Sequence, residues 1–198
     1  MTKKDIVLGV VSGAAIALLA GPIAHNLGFP FSLSFQAALM AALALLTPAG
    51  IAVAAWLARR WAVILQVAKF GVVGVLNTLI DAGTLNLLSA WSGIYGGTLI
   101  ILFNSVSFSV AVVNSYFWNK YWTFGSRDTQ YGREFVQFII VSAIGLGLNT
   151  GLVYILTTFV APPGGFTPQV WENVAKAIAI PLTFAWNFAG YKFVVFRQ

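Results

Sequence analysis

Residues 70–88 read FGVVGVLNTLIDAGTLNLL and contain one charged side chain, Asp81. An α-helix crosses the hydrocarbon core of a bilayer with about 20 mainly apolar residues, so this stretch is long enough to do so. A shift of 68 residues places it without gaps on residues 138–156, FIIVSAIGLGLNTGLVYIL, with Asp81 over Asn149. The stretch therefore predicts a membrane-spanning helix that occurs twice in the chain.

A second similarity follows each copy. Residues 115–124, SYFWNKYWTF, match residues 187–196, NFAGYKFVVF, with Lys120 over Lys192. The shared order of the two similarities indicates an internal duplication, and repeats of paired membrane helices are a known transporter architecture. The predicted repeats cover residues 69–124 and 137–197.

The composition excludes an ordinary soluble domain. Of the 198 residues, 59% are hydrophobic and 8% are charged, against about 25% charged in soluble proteins. The mean hydropathy is +0.86. Because so few charges cannot cover a soluble surface, we expect most of this surface to face lipid. The absence of cysteine excludes disulfides and thiolate metal sites.

The chain is long enough for six membrane spans and leaves no room for a soluble catalytic domain. The fold expected is an all-α polytopic membrane helix bundle of six transmembrane helices, made of the two helical repeats and an N-terminal helical hairpin, residues 1–60. A basic start before a short apolar run is also typical of a signal peptide, which stays open as an alternative for the first span. The predicted spans are 6–20, 35–57, 70–90, 98–118, 135–159 and 170–193, joined by a linker at 61–69 and an aqueous loop at 119–134.

The basic residues predict the orientation of these spans. With six spans and a cytoplasmic N-terminus, ten of the eleven Lys and Arg residues lie on the cytoplasmic side, and Lys176 is the exception. Both repeats then enter the membrane from the cytoplasm, so they are parallel copies. The net charge of +6 is explained by topology, and no nucleic-acid partner is expected.

Asp81 lies about 18 Å along a helix from Lys69. A carboxylate at that depth costs roughly 2.5–3.5 kcal/mol on insertion scales and should face the bundle or a wet cavity. Asn77 lies on the same helix face, and Asn149, Lys176 and Asn187 place further polar groups in the second repeat. These five residues are the candidate transport path, although polar groups in membrane helices also serve as contacts between helices.

Cations and aromatic side chains are concentrated at the predicted cytoplasmic ends. An aromatic belt with a positive flank explains this pattern without a ligand. The duplication favours a second interpretation, in which equivalent lysines bind a lipid phosphate at the headgroup level. The candidate phosphate-binding residues are Lys69, Asn119, Lys120, Lys192 and Arg197.

No motif of a familiar enzyme class or metal site is present. We therefore expect a protein that is not an enzyme and that uses no cofactor.

The motifs described above resemble those of the GtrA-like family of small polytopic membrane proteins. The resemblance covers residues 66–198 and is carried by the entry KFGVVG at 69–74 with Asn77 and Asp81, by NKYWTF at 119–124, by the second copy at 138–149, and by residues 187–197. Family members are commonly four-helix units, so the hairpin 1–60 departs from the pattern. The second copy also has Tyr191 where the first has Asn119.

The resemblance implies transport of polyprenyl-phosphate-linked monosaccharide from the cytoplasmic to the outer leaflet, for cell-surface polysaccharide or glycan synthesis. It implies the plasma (inner) membrane and contact with membrane lipids; a glycosyltransferase partner and a homo-oligomer stay open. The cytoplasmic position of both termini is predicted by the distribution of Lys and Arg. The alternative is a membrane anchor for a polyprenyl-phosphate glycosyltransferase that transports nothing. A third reading is a small proton-coupled exporter that uses Asp81.

Overall fold

A computed structural model describes residues 1–26, 32–93, 99–162, 164 and 168–197, apart from some side chains within the helices. Over this part of the chain the protein is all-helical, as predicted, with six α-helices and no strand. Their bounds are α1 (Lys3–Asn26), α2 (Leu33–Leu57), α3 (Val63–Ser92), α4 (Leu99–Trp118), α5 (Tyr131–Phe159) and α6 (Pro168–Gly190).

Two short π-helical segments continue the chain after α4 and α6. They are π1 (Asn119–Thr123) and π2 (Tyr191–Val195). Each is closed by a backbone bond over five residues, from the Phe124 amide to the Asn119 carbonyl (2.9 Å) and from the Phe196 amide to the Tyr191 carbonyl (2.8 Å). Single π-helical turns within longer helices are found frequently at functional sites.

Five helices of the described chain are long and apolar enough to cross a membrane: 3–21 in α1, 33–57 in α2, 63–89 in α3, 131–149 in α5 and 178–195 in α6 with π2. Their outward side chains are apolar, and Leu45, Leu87 and Ile140 are each more than half exposed. Such a surface is stable in lipid, so the chain is a multi-pass membrane protein. The remaining helix, α4, has 20 residues and is about 30 Å long.

Several boundaries differ from the sequence prediction. The predicted linker at 61–69 is mostly the start of α3, which places Lys69 inside a helix. The predicted aqueous loop at 119–134 begins with π1, whose residues are mainly buried. Tyr116, Trp122 and Phe124 pack inward here, and this packing outweighs the polarity from which a loop was predicted. α3 ends at Ser92, and its C-cap residue Gly93 takes the left-handed conformation (φ 70°).

The chain forms two compact units, residues 1–125 and 126–198. In the first unit α1 lies directly against α2, because a Cβ at Gly13 would overlap the carbonyl oxygen of Leu43. Both helices contact α3. The core contains Ile51 of α2, Val73 of α3 and Trp122 of π1, so the N-terminal hairpin and the first predicted repeat share one core.

The second unit contains α5, α6 and π2. Phe138 of α5 stacks on Tyr191 of π2 with ring centroids 4.3 Å apart. Gly190 lets the end of α6 approach α5 closely, since a Cβ there would overlap the side chain of Val141.

Candidate functional site

The two units contain matching contacts at the positions that the sequence similarity pairs. Phe70 and Phe124 lie 6.3 Å apart between ring centroids at 53° in the first unit. Phe138 and Phe196 lie 6.2 Å apart at 50° in the second. In each unit this aromatic pair holds the end of the π-helical segment against the first helix of the helical pair, α3 in the first unit and α5 in the second.

π1 places two of the predicted phosphate-binding residues in a buried position. Asn119 and Lys120 are each 1% exposed. The Asn119 amide nitrogen donates to the carbonyl (2.9 Å) and the hydroxyl (3.2 Å) of Ser115, whereas its side-chain oxygen has no hydrogen-bond partner among the described residues. The ammonium of Lys120 lies 5.9 Å from the ring centroid of Tyr116, a cation–π contact.

The predicted phosphate-binding cations of the second unit are more accessible. Lys192 is half-buried, and its ammonium lies 5.7 Å from the ring of Phe188 and 5.6 Å from that of Phe193. Arg197 is exposed, and its Nε donates to the carbonyl of Phe193 at 2.7 Å. Cations near a helix C-terminus interact favourably with its carbonyl groups.

Lys69 differs from the other predicted phosphate-binding residues because it has a carboxylate partner. Its Nζ forms an ion pair with Oδ1 of Asp5 at 2.5 Å. The same oxygen accepts a hydrogen bond from the indole nitrogen of Trp122 at 3.1 Å. The positive charge of Lys69 is therefore balanced within the first unit.

Asp5 is the functional candidate that the sequence reasoning missed. A signal for it was present: Thr2 and Asp5 form a capping box at the start of α1. A capping box predicts the start of a helix, but it does not predict that the second carboxylate oxygen will bind a distant lysine.

Two predicted transport-path residues lie in polar contacts between α3 and α4. The Ser107 hydroxyl donates to the Asp81 carboxylate at 2.7 Å, and the Asn114 amide donates to the side-chain oxygen of Asn77 at 2.6 Å. These bonds satisfy polar groups that would otherwise face hydrocarbon, and in membrane proteins such bonds also hold helices together.

The second unit has a similar polar contact between α5 and α6. The Asn149 amide donates to the Thr183 hydroxyl at 3.1 Å. The side-chain oxygen of Asn187 is buried with no hydrogen-bond partner in the described chain, and it lies so close to Gly145 that a Cβ there would overlap it. The side chain of Lys176 lies outside the described residues.

A metal site is not formed in the part of the chain that the structure describes, where no three His, Asp or Glu side chains cluster.

Apolar helices joined by polar contacts, with cations at their ends, define an integral membrane protein of the multi-helix class. A family model described as "GtrA/DPMS, transmembrane domain" matches residues 69–196. Because this match covers well over half of the chain, the protein belongs to that family. The hairpin 1–60 lies outside the match.

The chain is also 37% identical over 87 residues to "Uncharacterized membrane protein YngA" of Bacillus subtilis (strain 168). That stretch is 44% of this chain and 55% of the relative, so the alignment spans about half of the relative's length. No solved structure matches the chain.

Proposed function

We propose that this protein moves a polyprenyl-phosphate-linked monosaccharide from the cytoplasmic to the outer leaflet of the plasma (inner) membrane. One observation carries the proposal: the helix pair α3–α4 has two polar contacts along its length, Asp81 with Ser107 and Asn77 with Asn114, and continues directly into π1 with Lys120. A sugar needs hydrogen-bonding groups inside the hydrocarbon, and a phosphate needs a cation at the headgroup level.

The membrane arrangement that goes with this function has six spans and cytoplasmic termini. In this arrangement α4 is the sixth span, in addition to the five apolar helices. The cytoplasmic position of the termini is inferred from the distribution of Lys and Arg. The matching aromatic pairs and the two π-helical segments support the interpretation of α3–π1 and α5–π2 as two copies of one unit. Their parallel orientation in the membrane follows from the distribution of Lys and Arg alone.

In this proposal Lys120 binds the lipid phosphate in the first unit, where Asn119 next to it in sequence offers a hydrogen-bonding group, and Lys192 and Arg197 bind it in the second unit. Lys69 keeps its ion pair with Asp5 and does not bind phosphate directly. Because Lys120 is 1% exposed, the phosphate reaches it only when π1 shifts away from its packed position.

The test is leaflet exchange of a fluorescent polyprenyl-phosphate hexose in liposomes that contain the purified full-length protein. Wild type should speed the exchange. Lys120→Gln should slow it at least about tenfold, since a hydrogen bond to a charged group contributes roughly 1.5–3 kcal/mol. Arg59→Gln is the control, because Arg59 is an exposed cation outside the site. Wild type that leaves the exchange rate unchanged would rule the proposal out.

The second candidate is a membrane anchor for a glycosyltransferase. It is favoured by the observation that Asn77, Asp81 and Asn149 all have protein partners, as residues do that only join helices. Asp81→Asn separates the two candidates, because an asparagine oxygen still accepts the Ser107 hydrogen bond while the carboxylate is lost. If the protein is only an anchor, cells that carry this variant should still make the cell-surface glycan. If it is a transporter that needs the carboxylate, the variant should lose exchange activity.

A further inference from the structure

The first residues of the chain contact π1 at two consecutive positions. The Lys4 ammonium donates to the backbone carbonyl of Tyr121 at 2.6 Å. The Asp5 carboxylate accepts from the Trp122 indole at 3.1 Å. The N-terminal segment, residues 2–5, therefore lies directly against the segment that carries Asn119 and Lys120.

Asp5 uses both of its oxygens in this arrangement and is 3% exposed. One oxygen accepts from the Thr2 amide at 2.8 Å and the Thr2 hydroxyl at 3.0 Å, which fixes the residue at the start of α1. The other binds Lys69 and Trp122. Asp5 thus connects the start of α1, a residue of α3 and π1 through one carboxylate.

The Lys69 ammonium completes the cluster, because it lies 5.9 Å from the ring of Trp122 as well as beside Asp5. The indole nitrogen of Trp122 donates to Asp5, and the face of the same indole ring contacts the ammonium of Lys69. Trp122 is also part of the core shared with Ile51 and Val73. The position of π1 consequently depends on contacts made by a hairpin that lies outside the family match.

We propose that residues 2–5 clamp π1 in place and that Asp5 is the positioning residue of this clamp. Loss of the Asp5 charge frees π1 to open more often, and its buried residues then become accessible to solvent. The consequence for lipid transport rests on the proposed function: Asp5 would control how often Lys120 meets a phosphate. The predicted opening of π1 does not rest on the proposed function.

The chain has no cysteine, so introduced cysteines report on single positions. Thr123→Cys is the reporter on π1, because Thr123 is 4% exposed and its hydroxyl has no hydrogen-bond partner among the described residues. Val195→Cys is the matched reporter on π2, at the equivalent position and also 4% exposed. The measurement is the rate of reaction with a water-soluble maleimide in native membranes.

In the full-length protein, Asp5→Asn should speed labelling of Thr123→Cys at least about tenfold, because a buried lysine loses its counterion. The rate at Val195→Cys should stay within about twofold, since a local opening in the first unit leaves the packing inside the second unit intact. Asp5→Glu should restore slow labelling at Thr123→Cys, because glutamate keeps the charge and suits the capping box.

Lys4→Met is a second test. It changes an exposed residue, so its expected effect is smaller. It removes the contact with the Tyr121 carbonyl and should speed labelling of Thr123→Cys by a few-fold. Lys3→Met is its control and should have no effect, because Lys3 is exposed and carries the same charge one residue earlier.

Unchanged labelling of Thr123→Cys in Asp5→Asn would overturn the proposal. Equal acceleration at both reporters would overturn it too, because that is the result of general loosening. These rates do not depend on transport. Wild type that is inactive in liposomes but shows the labelling pattern above would reject the proposed function and keep the clamp.

Discussion

The first and second predicted repeats end in the same pair of aromatic contacts, but they differ in how deeply their lysines are buried. In π1, Lys120 is almost fully buried and Asn119 leaves an oxygen without a partner among the described residues. In π2, Lys192 is half-buried, and Tyr191 fills the position of Asn119 by stacking on Phe138. The first end is thus more polar inside and the second more completely packed.

The position of Lys69 shows the same difference. The equivalent residue in the second copy is Gln137, which has no charge to balance. Only the first copy has a lysine there, and Asp5 of the added hairpin provides its counterion. The comparison indicates that the hairpin 1–60 compensates a charge specific to the first copy.

The largest expected effect comes from removing this compensation. Asp5→Asn should lower the free energy of unfolding by about 3–5 kcal/mol, the usual cost of leaving one member of a buried ion pair alone. The measurement is denaturant unfolding in mixed micelles. Asp128→Asn makes the same change at an exposed carboxylate and should stay within about 0.5 kcal/mol of wild type. A small effect of Asp5→Asn would mean that Lys69 finds another partner.

An intermediate effect is expected where the second copy packs most closely. Gly190→Ala should destabilise by about 1–3 kcal/mol, because the new methyl group overlaps Val141. The first copy has Trp118 at this position and tolerates a large side chain there. Gly147→Ala is the control, since open space surrounds Gly147. In unfolding measurements, adding Gly190→Ala to Val141→Ala should cost much less than adding it to wild type, because the methyl group that the alanine overlaps is gone. An equal cost in both backgrounds would contradict the assigned contact.

The smallest effect tests the buried hydroxyl of π1 by an isosteric exchange. Thr123→Val should leave stability unchanged or raise it by up to about 1 kcal/mol, because this buried hydroxyl has no partner in the described chain. Val195→Thr makes the reverse change at the matched position and should cost about 1–3 kcal/mol. Loss of stability in Thr123→Val would show that the hydroxyl has a partner, such as a bound water.

The location of the polar residues was partly predictable. Asn77 and Asp81 on one face of a membrane helix predict a contact with another polar face, and the contacts with Asn114 and Ser107 are of that kind. The identity of each partner depends on how the helices rotate about their axes. Apolar helices in lipid leave that rotation to side-chain packing, which a hydropathy pattern does not contain.

By itself the sequence determined the all-helical membrane character, the similarity between the two predicted repeats and the family, because these depend on local hydrophobicity and on the order of motifs. Only the tertiary structure decided that Lys69 belongs to Asp5 and that π1 is buried. Residues 5 and 122 are separated by 117 positions, and their meeting is decided by the packing of α1 against α3. No local pattern encodes such a contact, since its energy depends on burial and on charge neutralisation between distant segments.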